Sequence, residues 1–61
     1  MHGDFEFWLE ALVEVFVKEY GYTQAQAESY VNNNKAEWRE YYDDDYDAQS
    51  TAYEDQLAGV E

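Results

Sequence analysis

From Asp4 onward, apolar side chains recur at intervals of three and four residues, the repeat of a helix with one face turned inward. Turning about 100° per residue from Glu6 places Val15, Trp8, Leu12, Phe5, Phe16, Leu9 and Tyr20 within an arc of about 140°. That arc is a core face. Glu6, Glu10, Glu14 and Lys18 form a stripe on the other side, because residues four apart stack along a helix. Asp4 supplies a side-chain acceptor for the first turn, and Gly21 is a left-handed stop, so the pattern predicts a helix over 4–20. Phe7, Val13 and Val17 fall in or beside the polar stripe. They are apolar surface that a small monomer has reason to cover.

Thr23 and Gln26 have the spacing of a capping box, and Tyr22 with Ala27 forms the matching hydrophobic staple. A second helix is therefore predicted over 24–32, with Ala27, Tyr30 and Val31 on one side. The run Asn32-Asn33-Asn34 weakens it, and Asn34 with Glu37 repeats the capping-box spacing, so a break is expected near residue 33. Trp38, Tyr41 and Tyr42 give the next helix, 35–42, its apolar face. Residues 43–47 read as a loop of like charges. Asp47 caps a last helix, 48–58, with Tyr53, Leu57 and Ala52 expected to face inward and Gly59 to end it. The fold class is all-α: one domain over 1–61, a bundle of three to four short helices with the first as its hub.

Composition changes this picture in two ways. A domain of 61 residues buries only about 60% of its unfolded surface and is marginal alone. The chain has no cysteine to reinforce it, and one histidine, His2, which excludes disulfides, thiolate sites and zinc sites built from several imidazoles. Aromatic residues nevertheless make up 20% of the chain, enough apolar area to fold. A helical fold is favoured further by the absence of proline and the presence of only three glycines.

The second change is charge. Fifteen carboxylates stand against three basic residues, a formal charge of −12. An acidic chain without aromatics would be read as disordered; this one is read as a folded body with a negative surface, which calls for a basic partner. Direct nucleic-acid binding is disfavoured, since that affinity rests on cationic side chains. Anionic membrane surfaces would repel it, and Glu6, Glu10 and Glu14 interrupt the apolar run of the first helix, so no membrane span is expected. With no cationic secretory segment in residues 1–10, the expected compartment is the cytoplasm.

Three constellations carry candidate chemistry. Asp43, Asp45, Asp47 and Glu54 stand at positions one, three, five and twelve of an EF-hand calcium loop. Ala48 replaces the glycine of position six and Ser50 the apolar residue of position eight. The favoured reading is a solvated acidic turn with Asp47 as helix cap, and calcium is its rival. The second is the anionic array. Glu6, Glu10 and Glu14 repeat about every 6 Å, four residues at about 1.5 Å rise, a spacing similar to that of phosphates on one DNA strand. With Glu37, Glu40, Asp43, Asp44, Asp45 and Asp47 they form a face able to enter a cationic groove built for nucleic acid. Phe7, Val13 and Val17 add an apolar contact or a homodimer seam. The third is general acid–base work by paired carboxylates, for which a domain this small is expected to lack a cleft of about 300 Å³. No enzyme activity and no cofactor are expected.

Two stretches, Tyr20-Gly21-Tyr22-Thr23 opening a helix and Trp38 followed by Tyr42-Asp43-Asp44 and Tyr46, resemble small acidic proteins of bacteriophages. In those, a tryptophan helix leads through an aspartate–glycine turn into a final short helix. The resemblance covers roughly residues 16–57, and departs where Asp45 and Ala48 stand in place of the turn's glycine and proline. It implies a phage origin and a host target, through binding of a host enzyme or mimicry of DNA. The expected function is thus inhibition of a basic, nucleic-acid-binding host protein. The alternatives are an adaptor dimerising through the first helix and a calcium module at 43–54.

Overall fold

The computed structural model describes residues 4–59, which form four helices: α1 (Phe5–Tyr20), α2 (Gln24–Asn33), α3 (Lys35–Asp43) and α4 (Ala48–Gly59). The starts and stops arise from local chemistry. Asp4 Oδ1 accepts the Phe7 N–H at 2.8 Å, and Gly21 at φ 77° closes α1. Thr23 and Gln26 form the reciprocal capping box of α2, with both bonds at 3.1 Å. Asp47 Oδ1 accepts the Ser50 N–H at 2.8 Å and opens α4.

The break after Asn33 falls where the asparagine run places it, but the Asn34–Glu37 capping box does not form. Asn34 makes no side-chain cap; its Nδ2 instead donates backward to the Tyr30 carbonyl at 2.9 Å, closing α2 rather than opening α3. One side chain serves one end, and the carbonyl left over by the end of α2 takes it.

α1 packs against all three other helices. Trp8, Leu9, Leu12 and Phe16 from α1 are buried with Ala27 and Val31 of α2, Trp38 of α3 and Ala52 of α4. α2 turns back along α1, so that Lys35, just past its end, meets Glu6 in the first turn of α1 at 3.9 Å. α4 runs in the direction of α1. Tyr46, just before it, accepts the Trp8 indole N–H through its carbonyl at 2.9 Å, and Gln56 in its second half reaches Tyr22. The Cα radius of gyration, 10.6 Å, matches the value of about 10 Å for a compact chain of this length. Aromatic rings do most of the filling: Phe16 lies 5.1 Å from Tyr22, 5.5 Å from Tyr30 and 6.3 Å from Trp38, ring centre to ring centre.

The inward face of α4 differs from the expected one. Tyr53 and Leu57 are 57% and 53% exposed, while Thr51 and Ala52 are fully buried and Ala48, Asp55 and Gln56 are half-buried. These five recur at the helical spacing, and their small or polar side chains let α4 lie close to α1. Thr51 Oγ1 donates to the Asp47 carbonyl at 2.8 Å, so its hydroxyl is satisfied without leaving the helix. Tyr30 donates its hydroxyl to the carboxylate of Asp55, at 2.9 and 2.8 Å to the two oxygens. The Tyr30–Asp55 and Gln56–Tyr22 bonds thus take the place of the apolar contacts that Tyr53 and Leu57 would have made.

Candidate functional site

All nine acidic positions singled out in the sequence are exposed. Glu6, Glu10 and Glu14 stand on α1, Glu37, Glu40 and Asp43 on α3, and Asp44, Asp45 and Asp47 in the turn before α4. The two sets are placed differently. The three glutamates of α1 line a groove of about 700 Å³ between α1 and α2. The α3 and turn residues lie outside it. A groove of this size overturns the expectation that so small a chain has no room for a cleft. Two helices joined by a short turn touch along one line, and the splay between them leaves open space beside it.

The groove has an apolar floor and an acidic rim. Buried Leu9 and Val31 and half-buried Val13 and Val17 form the floor. Val13 and Val17 are therefore packed against the core rather than standing in the polar stripe, because α2 lies along that side of α1 and widens its buried face. Phe7 does project outward, at 67% exposure, and stands at the groove. The rim carries Glu6, Glu10 and Glu14 from α1 and Glu28 from α2, against one cation, Lys18. Glu28 was not among the expected residues. Its signal was present in the spacing: Gln24, Glu28 and Asn32 repeat every four residues along α2, as the three glutamates do along α1. Gln24 Nε2 donates to Glu28 Oε2 at 2.7 Å, holding that carboxylate.

The basic residues have internal partners. Lys18 lies 3.7 Å from Glu14, Lys35 3.9 Å from Glu6, and Arg39 Nε donates to Asp43 at 3.2 Å. Arg39 also lies over the rings of Phe5 and Tyr42, 5.1 and 5.7 Å from their centres. All three pairs are solvent-exposed, so each adds little to stability. What they do is use up every lysine and arginine of the chain, leaving the acids in large excess.

The backbone over 43–54 is not that of an EF-hand loop. A twelve-residue loop over 43–54 needs an irregular backbone, but α3 runs to Asp43 and α4 starts at Ala48, so seven of the twelve positions, 48–54, are helical. The sharp turn falls at Asp45, with φ 66°, not at Ala48. Asp47 Oδ1 is taken by its own helix cap and Asp43 by Arg39. Among the described residues no three acidic, histidine or cysteine side chains are grouped to hold a metal ion. No described helix is long and apolar enough to cross a membrane.

Two tyrosines are electrostatically unusual. Burial first, then the hydrogen bond to the Asp55 carboxylate, pushes the Tyr30 phenol well above the ordinary tyrosine range. Burial, followed by the charge of Glu37, pushes Tyr41 up as well. Both effects favour the neutral phenol inside a negative molecule. No family model, no curated protein and no solved structure matches this chain.

Proposed function

We propose that this chain is a non-catalytic, phage-type acidic protein that binds a basic, nucleic-acid-binding host protein in the cytoplasm and inhibits it by covering the surface meant for nucleic acid. The observation that carries the reading is the mismatch between the inside and the outside of the molecule. A closed aromatic core holds the helices in place, all three cations are already matched by the chain's own acids, and the formal charge is still −12. Self-repulsion of that size works against folding, and a partner that supplies the missing positive charge relieves it. Helices carry the anions at fixed spacing, which preorganises the surface and limits the ordering cost of binding. Long-range attraction then speeds encounter, and affinity falls with added salt.

The test is capture on the immobilised protein from a bacterial lysate, followed by a salt gradient and a DNA challenge. The expected result is a basic protein released by moderate salt and displaced by duplex DNA. Retention undiminished by molar salt, or captured protein indifferent to DNA, would sink the reading.

A further inference from the structure

Resting on the basic-partner reading, we infer that the α1–α2 groove is the docking site and that its occupant is a cationic amphipathic helix of the partner. Three features of the groove define that occupant. The floor of Leu9, Val13, Val17 and Val31, with exposed Phe7 beside it, is apolar and calls for an apolar stripe. The rim is negative on both sides, from α1 and from α2, and calls for positive charge flanking that stripe. Glu6, Glu10 and Glu14 repeat every four residues, so lysines or arginines four apart on a facing helix meet them one for one.

The walls decide between a helix and an extended segment. Both are α-helices whose backbone groups are bonded internally, so the groove has no sheet edge on which a strand could pair. A helix arrives with its own backbone satisfied and needs only side-chain contacts. The groove spans Glu6 to Lys18 on α1, about 18 Å at about 1.5 Å per residue, which accommodates roughly three helical turns. Charge also sets a position along it. Lys18 stands beside Glu14 at one end and Lys35 beside Glu6 at the other, whereas Glu10 has carboxylates on both sides along α1, so the positive charge of the occupant concentrates at the middle of the row, over Glu10.

The experiment titrates the full chain with two synthetic peptides of identical composition. One places lysines four apart beside a leucine stripe; the other is scrambled so that no stripe forms. Three variants accompany the wild type: Phe7→Ala, Glu10→Lys and, as an equal change of charge outside the groove, Glu54→Lys on α4. All three positions are exposed, and circular dichroism checks that each variant folds. The patterned peptide is expected to bind about tenfold more tightly than the scrambled one, and Phe7→Ala and Glu10→Lys to weaken it about tenfold, while Glu54→Lys costs about twofold or less. Equal losses from Glu10→Lys and Glu54→Lys, with no effect of Phe7→Ala, would overturn the groove as the site while leaving the basic-partner reading standing. Failure of both peptides to bind at low salt would remove both. Sedimentation of the free chain closes the remaining route: a dimer abolished by Phe7→Ala would mean that a second copy covers the groove, which also overturns the proposal.

Discussion

The indole N–H of Trp38 donates to the main-chain carbonyl of Val31 at 3.0 Å, seven residues earlier and across the break between α2 and α3. Trp38 is fully buried, so this bond is made out of water, and the same carbonyl also receives the Asn34 N–H at 3.3 Å. The broken end of α2 is thus satisfied by the largest side chain of the next helix. Trp8 makes the same kind of bond, from its indole N–H to the Tyr46 carbonyl in the turn before α4.

Replacing Trp38 by phenylalanine removes the donor and leaves a void where the larger ring was. The expected loss is about 2 kcal/mol, from one net hydrogen bond and a partly relaxed cavity. A core of this size supplies only about 3–5 kcal/mol in all, so urea unfolding should show the midpoint falling by a large fraction. A midpoint within error of the wild type would mean that the ring is not packed in the core against α2.

Ala52 and Leu57 invert the usual ranking of small and large apolar residues. Ala52→Leu adds volume at a position with no exposed surface and should destabilise by about 1–3 kcal/mol through overpacking. Leu57→Ser alters a side chain that is 53% exposed and should cost about 0.5 kcal/mol or less. Thermal melts of the two variants give a direct comparison, and the opposite order would mean that α4 turns its Leu57 side, not its Ala52 side, toward α1.

The Tyr30–Asp55 bond makes stability depend on alkaline pH. The Tyr30 phenol is raised above its ordinary value near 10, by burial foremost and then by Asp55. The folded state therefore keeps a proton that the unfolded chain gives up. The contribution is fully present below pH about 10 and is lost as pH rises past it. Tyr41, raised in the same direction, adds to the loss. Denaturant midpoints should be insensitive to these two groups near neutrality and fall steeply above pH about 10. Asp55→Asn, which removes the acceptor's charge, should make the fall shallower, and tyrosinate absorbance followed alongside would tie it to the phenol.

Charge crowding predicts a response to salt that most small domains lack. With a formal charge of −12 and three exposed ion pairs among the described residues, screening relieves more repulsion than attraction. The melting temperature of the free protein should rise between low and physiological ionic strength. A flat or falling curve would show that the carboxylates are spaced widely enough not to interact.

The sequence by itself determined the helices and most of the core, because the signals involved are local. Asp4, Gly21, Thr23 with Gln26, and Asp47 each act on backbone groups within a turn or so of helix, so their effect is fixed before anything packs. The apolar arc of α1 is likewise a property of one helix, and Trp8, Leu9, Leu12 and Phe16 are buried as it requires. Only the tertiary structure decided which side of α4 turned inward, where the capacity of Asn34 went, and that Val13 and Val17 joined the core while Phe7 did not. Each of those outcomes depends on which neighbour arrives: close approach of α1 favours Ala52 over Leu57, and α2 lying along α1 covers two valines and leaves a groove beside them. The acidic rim belongs to both levels. Its acids stand every four residues in α1 and at Glu28 alone in α2, but only the return of the two helices against each other sets them on opposite sides of one apolar floor.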